Sequence, residues 1–322
     1  MSNWLQYFHQ QGGWKLVINY MRSGVLWIAI WEFLCLGRTK KALELLRLCV
    51  EYKYYRKIRK KYRNRIQELI LLYQKEAVND NNSIRKKNVW ICWFQGMDNA
   101  PELVKCCYNS VVRNMPNWEI KVITLDNYME YVRFPGYIIE KFKKGYISYT
   151  HFSDLLRLEL LANYGGLWLD ATILCTSSDI PQSIINSDLF YYKTLKPGSD
   201  GHAILMSSWL LYAKKNNIII QITKNILYEY WRGSNQLIDY FLVHYVFTIV
   251  CELFDERNIS VRSFCNTTPH VLQMNLFEEY DDVFFRDLCK QTCFHKLTYK
   301  FDKGKINHLE GTYYNMLIEK YN

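Results

Sequence analysis

The sequence predicts an α/β protein, with a mostly parallel, Rossmann-like central sheet preceded by a helical extension. Three observations carry this reading. A strand, a helix and a second strand follow one another between Asn88 and Leu125. Further on, a helical pattern runs into Gly165-Gly166 and out into an apolar strand. Before residue 86 the pattern is helical, with little strand character. The expected division is therefore an extension over 1–85 and a main domain over 86–322.

The extension comes first. Its start, M-S-N-W-L-Q-Y-F-H-Q, has no basic segment ahead of an apolar core and is not read as a signal peptide. Val25–Leu36 is apolar but carries Glu32, and its longest clean run falls far short of the ~20 residues that span a bilayer. Ala42–Val50 is amphipathic. Lysines and arginines crowd the stretch from Arg38 to Arg65 against only Glu44 and Glu51, with Tyr52, Tyr54, Tyr55 and Tyr62 interleaved. A basic, aromatic-rich helix suits an anionic membrane surface; a solvated helix face is the plain alternative. No nucleic-acid-binding motif accompanies it, so nucleic acid is not an expected partner.

Val78–Lys87, V-N-D-N-N-S-I-R-K-K, is a polar break between the two parts. Asn88–Phe94 then reads as a strand, Gly96–Pro101 as a turn, Pro101–Asn114 as a helix and Glu119–Leu125 as a strand. Such a unit implies parallel pairing. Nucleotides bind at the carboxyl ends of such strands, where Trp93 and Gln95 fall. Tyr128–Lys144 is irregular and helical. In H-F-S-D-L-L-R-L-E-L-L-A-N-Y-G-G-L-W-L-D-A-T-I-L, from His151 to Leu174, Ser153 is the expected N-cap. Leu155, Leu156, Leu158, Leu160 and Leu161 supply a buried face, and Gly165 and Gly166 end the helix. The strand that follows alternates, with Leu167, Leu169, Ala171 and Ile173 on one side and Trp168, Asp170, Thr172 and Leu174 on the other. Phe190–Tyr192 reads as a strand. Gly201–Lys214, Ile218–Tyr230 and Gln236–Phe254 read as helices, the last holding Asp239, Tyr240 and His244. An acidic group in so apolar a helix needs a reason, which makes Asp239 a candidate catalytic carboxylate. Pro269–Leu288 is mixed, and His295, Lys296 and Lys300 lie in a short apolar segment near the end.

Charge and cysteine narrow the function. The 322 residues carry 41 Lys and Arg against 31 Asp and Glu, a net charge of +10, which suits an anionic partner such as a nucleoside diphosphate or an acidic lipid surface. None of the ten cysteines forms a C-x-x-C pair, and Cys289 with Cys293 is weak support for zinc without a second pair. The pattern fits a reducing, cytoplasmic setting, peripheral at the inner face of the cell membrane. Motifs for dinucleotide binding, a P-loop, a nucleophile elbow or a zinc protease are missing.

The chemistry lies in three polar residues. Asp154 and Arg157 share a helical face at i and i+3. Asp170 interrupts an apolar strand, where a bare carboxylate is costly unless cations or hydrogen bonds compensate. Taken singly, these could be a surface pair and a turn cap. Together with the Gly-Gly hinge they read as a site. S-D-L-L-R followed by Y-G-G-L-W-L-D-A-T resembles the DXD-containing sugar transferases of the GT-A fold, specifically the capsular polysaccharide synthesis branch, with D-A-T in place of D-X-D. V-W-I-C-W-F-Q-G from Val89 and H-K-L-T-Y-K from His295 fit the same branch.

That resemblance implies a GT-A-like fold and a glycosyltransferase. Its donor would be a nucleotide-sugar such as a UDP- or GDP-sugar. Its acceptor would be a cell-surface glycan or a lipid-linked precursor. The resemblance also implies a divalent cation, Mn2+ or Mg2+. By the same likeness Asp154 and Arg157 would hold the donor sugar's hydroxyls, and Asp170 the ribose and the metal. Trp93 would stack on the base, with Gln95, Gly165 and Gly166 beside the donor. Lys296 and Lys300 would neutralise the diphosphate. Thr172 stands where relatives carry a second aspartate, and a neutral hydroxyl is a poor substitute, so the expectation is either weak metal binding or a site of Asp170 and Thr172 completed by His295. An inactive relative serving as an assembly subunit, and a sugar-phosphate transferase, are the two other readings.

Overall fold

The computed structural model describes residues 13–77, 87–193, 204, 206–255, 264–301 and 310–322. The first described elements are three helices: α1 (Gly13–Arg22), α2 (Leu26–Leu36) and α3 (Lys40–Ala77). With 38 residues, α3 is a single rod about 57 Å long at 1.5 Å per residue. Along it Tyr54, Ile58, Tyr62, Ile66, Leu69 and Ile70 form a buried stripe at helical spacing. The stripe joins the same core cluster as the sheet and the later helices. Arg65 also pairs with Glu229 at 2.8 Å, and Asn225 donates to the Tyr73 hydroxyl at 2.7 Å. The expected boundary near residue 85 is therefore one of chain path rather than of core, and most of the polar break itself, 78–86, lies outside the described residues.

Strand β1 (Asn88–Cys92), α4 (Glu102–Asn114) and β2 (Glu119–Ile123) follow the predicted strand–helix–strand order, and β1 pairs parallel with β2. Two short helices, α5 (Tyr128–Tyr131) and α6 (Gly136–Lys143), lead to α7 (Tyr149–Tyr164). This helix is capped by Ser148, whose Oγ accepts from the His151 N–H at 3.2 Å, so Ser153 lies inside the helix instead of capping it. Ser148 has the extended backbone a cap needs, and neither Gly nor Pro interrupts Tyr149–His151.

The two glycines between α7 and β3 (Gly166–Asp170) both have positive φ, 67° and 104°. They are also crowded. A Cβ on Gly165 would sit 2.6 Å from the Lys215 backbone nitrogen, and one on Gly166 would sit 2.5 Å from the Asn88 carbonyl oxygen. Strand β3 then stops at Asp170. Ala171 and Thr172 turn the chain, and β4 (Ile173–Cys175) leaves to pair with a late strand, so the predicted alternation through Leu174 breaks at Ala171.

The remaining elements are α8 (Gln182–Ile185), β5 (Leu189–Lys193), β6 (Met206–Ala213), α9 (Ile218–Gly233), α10 (Leu242–Asp255), β7 (Phe264–Cys265), α11 (Thr267–Met274), α12 (Asp282–Gln291), β8 (Phe294–Lys296) and α13 (Tyr313–Tyr321). Two expectations are corrected here. β6 stands where a helix was expected over Gly201–Lys214, of which 201–203 and 205 lie outside the described residues. Its apolar run S-S-W-L-L-Y-A has no clear period, and such runs are decided by neighbours; here β3 and β5 pair with it on either side. The helix expected from Gln236 begins only at Leu242.

The main sheet has the order β2-β1-β3-β6-β5-β7. β1–β2, β1–β3 and β5–β7 are parallel; β3–β6 and β5–β6 are antiparallel. Alternate strand residues feed two cores. Trp90, Trp168, Tyr191 and Leu211 pack with α3, α7, α9 and α10, whereas Val89, Ile91, Leu167, Leu169 and Leu210 pack with α4. Helices thus cover both faces, as an α/β sheet requires.

Gly166→Ala is expected to destabilise the fold by roughly 1–3 kcal/mol, the range for a side chain forced into a disfavoured backbone conformation. Urea denaturation would read this, and an unchanged midpoint would show that the β1–β3 contact yields to a methyl group.

Candidate active site

β1 and β3 run parallel and end level, with Cys92 opposite Asp170. Trp93 therefore follows the end of one strand beside the carboxylate that ends the other. This is the carboxyl edge of the parallel strands. The two-stranded sheet brings a third group to it: β4 pairs antiparallel with β8, with Ile173 opposite Lys296. Leu297 N–H donates to the Thr172 carbonyl at 2.9 Å and ties the segment after β8 to the turn after Asp170.

The Asp170 carboxylate is the hub. Its Oδ1 accepts from Arg157 Nη2 at 3.1 Å and from Trp168 Nε1 at 3.0 Å. Its Oδ2 accepts from Lys296 Nζ at 3.2 Å, and the same ammonium donates to Thr172 Oγ1 at 2.6 Å. Arg157 in turn donates from Nη1 to Asp154 Oδ1 at 2.8 Å and lies 4.7 Å over the Trp168 ring. Exposure sorts these groups by role. The Asp154 and Arg157 side chains are 8% and 4% exposed, while Asp170 and Lys296 keep 29% and 20%. A ligand arriving from solvent meets Asp170 and Lys296; Arg157 and Asp154 lie behind and orient them.

Burial pushes the Asp170 carboxyl up, but Lys296 and Arg157 outweigh it and hold the group below the usual carboxylate range. A depressed value means that the pair's contribution to stability is present above the ordinary carboxylate pKa and is lost as pH falls through the folded-state value. Behind the hub lies the buried His151. Trp231 Nε1 donates to His151 Nε2 at 2.9 Å, and His151 Nδ1 lies 3.7 Å from Asp154 Oδ2, beyond hydrogen-bond range. Sequence reasoning gave His151, Trp168 and Trp231 no role. The i, i+3 spacing of His151 and Asp154 and the i, i+2 spacing of Trp168 and Asp170 were the available signals, whereas nothing in the sequence links Trp231 to either.

Other expected residues fall elsewhere. Gly165 and Gly166 lie where β3 begins, and Asp170 ends the same strand four positions on, about 13 Å away. Asp239 precedes α10, where its Oδ1 accepts from the Phe241 N–H and the Tyr245 hydroxyl, both at 2.9 Å. Burial raises its pKa, and its charged neighbours include Arg47 and Glu51 on α3. It does not join the Arg157 network. His295 is fully buried, and its Nε2 lies 3.2 Å from Thr176 Oγ1; burial lowers its pKa to about 4. Strand alternation explains this: with Lys296 turned toward Asp170, its neighbour His295 turns the other way. Trp93 meets the Tyr299 ring edge-on at 5.4 Å, and its Nε1 has no hydrogen-bond partner among the described residues. Lys300 lies over Tyr299 at 5.9 Å, and Gln95 is exposed, its carbonyl accepting from Asn99.

The donor set does not fit a resident divalent cation. Mg2+ and Mn2+ prefer several hard oxygen ligands, carboxylates above all. Here Asp170 is one carboxylate whose two oxygens already accept from two cationic side chains and an indole, Thr172 is neutral and bonded to Lys296, and His295 faces away. Among the described residues no three His, Cys, Asp or Glu side chains gather into a metal-holding group.

Comparison with known proteins places the chain. Two relatives match parts of it: the O-glycosyltransferase braB of Annulohypoxylon truncatum, 26% identical over 169 residues, covering 47% of this chain and 39% of that protein; and the O-glycosyltransferase PaGT of Phomopsis amygdali, 29% identical over 160 residues, covering 42% and 36%. The matched stretch thus spans little more than a third of either relative. Among solved structures, PaToxG Glycosyltransferase aligns over 60% of this chain and 83% of its own, with 14% identity and a TM-score of 0.35. The family model of the capsular polysaccharide synthesis proteins matches residues 41–317, from the first turn of α3 into α13, and the chain belongs to that family.

Proposed function

We propose that the protein is a glycosyltransferase that moves a sugar from a nucleotide-sugar to a glycan or lipid-linked glycan. The observation that carries this is the part-exposed Asp170–Lys296 pair at the carboxyl edge of β1 and β3, next to Trp93. Open α/β sheets bind nucleotides at that edge. Both relatives described above are O-glycosyltransferases by name, which supports the reading. In the reaction, the bond between the anomeric carbon and a diphosphate oxygen breaks and its electron pair stays on that oxygen. The acceptor hydroxyl oxygen forms the new bond, and its proton leaves with the released diphosphate. Asp170 holds the donor and Lys296 faces the growing phosphate charge. Arg157, braced by Asp154, fixes the Asp170 carboxylate in place. Trp93 and Tyr299 offer the aromatic surface for the base.

Asp170→Asn keeps the shape and removes the charge. It is expected to lower nucleoside diphosphate release from the preferred nucleotide-sugar by ~100-fold or more, the scale for losing one preorganised polar group. Turnover at the wild-type rate in the folded variant would move the site elsewhere. Release of nucleotide monophosphate with a phosphodiester product would instead identify a sugar-phosphate transferase.

The surface of the first helices supports a second part of the reading: the protein works against an anionic membrane. No helix among the described residues is long and apolar enough to cross one. Yet Trp27, Ile30, Trp31 and Leu34 on α2 are all half exposed or more. Beside them, Lys53, Arg56, Lys57, Lys60 and Arg63 line one groove of α3, and Lys53 lies 5.2 Å over the Trp27 ring. Apolar side chains flanked by cations suit the boundary between headgroups and acyl chains. Vesicles containing phosphatidylserine should bind the protein and neutral phosphatidylcholine vesicles should not, with each basic residue adding ~1 kcal/mol that salt removes. Equal binding to both vesicle types, or none, would refute this. Trp27→Ser with Trp31→Ser should weaken binding even at low salt.

A further inference from the structure

We infer that in this chain the Lys296 ammonium, and no divalent cation, carries the positive charge opposite the departing diphosphate. The inference rests on the nucleotide-sugar reading above and deepens it. Four observations carry it. The Lys296 ammonium sits between the two polar side chains of D-A-T, 3.2 Å from Asp170 Oδ2 and 2.6 Å from Thr172 Oγ1. Those are the atoms that would first meet an ion held there, so the ammonium occupies the ion's place. Thr172 is 7% exposed and accepts from this lysine; as a neutral group it adds no charge to draw in a cation. The charges also cancel: Asp154 and Asp170 are matched by Arg157 and Lys296, so no excess negative charge waits for a dication. Lastly, the pairing of Ile173 with Lys296 and the bond from Leu297 to Thr172 anchor the lysine's backbone on both sides of the turn, which makes its position part of the fold.

The chemistry follows from that placement. A lysine ammonium is a compact point charge with three donors. Two of its hydrogen bonds run to Asp170 and Thr172, and the third points to solvent or to an arriving phosphate oxygen. Phosphate binding by a lone lysine needs no second carboxylate, because there is no ion to hold. That accounts for a threonine at the position where an ion-binding site needs an acid. Asp170 then serves to aim the ammonium and to contact the donor.

The test is calorimetric titration of the full chain with UDP and with GDP, in EDTA and in Mn2+, with manganese binding followed in parallel by electron paramagnetic resonance. The expected result is that one nucleotide binds in EDTA, with an affinity within ~3-fold of that in Mn2+. Lys296→Met should weaken that binding ~10-fold or more, and Lys296→Arg, which keeps the charge, should restore most of it. Asp170 retains Arg157 and Trp168 in both variants, so their melting temperatures should stay near that of the wild type. Adding a carboxylate should create what the wild type lacks: in Lys296→Met combined with Thr172→Asp, diphosphate binding should become manganese-dependent. Nucleotide binding by the wild type only with Mn2+, together with a manganese signal that Asp170→Asn abolishes, would overturn the inference and leave the glycosyltransferase reading standing. No nucleotide binding under any condition would overturn the nucleotide-sugar reading, and the inference with it.

Discussion

A carboxylate at the end of a central strand shapes this molecule. Asp170 follows a β-strand whose other residues are almost wholly buried, and a charge there is costly unless it is matched. Arg157 and Lys296 match it from two sides, and they come from distant places: Arg157 from the helix before the strand, Lys296 from a small sheet near the end of the chain. Removing one cation would leave the carboxylate half paired, and removing the carboxylate would leave Arg157 buried with Asp154 as its remaining anionic partner. The pair therefore links the early and late parts of the chain, and it points a charged edge toward solvent.

Backbone packing makes that placement possible. Gly165 and Gly166 let α7 turn straight into β3 with no room for side chains between β3, Asn88 and Lys215. Trp90 reinforces the junction, its indole N–H donating to the Gly165 carbonyl at 2.9 Å. Close approach at the start of β3 sets its register against β1, and the register carries down the strand to set Cys92 beside Asp170. The two glycines thus act on the site from its far end, through strand register.

The first helices play a comparable double part. One side of α3 completes the core over α9 and α10, and the opposite side gathers lysines and arginines. Because the buried stripe locks the rod against the domain, any surface that the cations bind is held at a defined orientation to the carboxyl edge of the sheet. Burial on one face and charge on the other follow from a single helical period.

Much of this was legible in the sequence. Composition and period showed an α/β chain, the strand–helix–strand unit, the glycine stop and the odd carboxylates at Asp154 and Asp170, because each of these depends on residues within a few turns of one another. Tertiary structure alone decided what depends on distant neighbours. S-S-W-L-L-Y-A became a strand because β3 and β5 flank it, and the strand after the glycines ended at Asp170 because β8 captured the segment beyond the turn. His295 was expected at the metal and Lys296 at the diphosphate. Pairing to β4 turned the lysine toward Asp170 and buried the histidine, since adjacent residues of a strand face opposite ways.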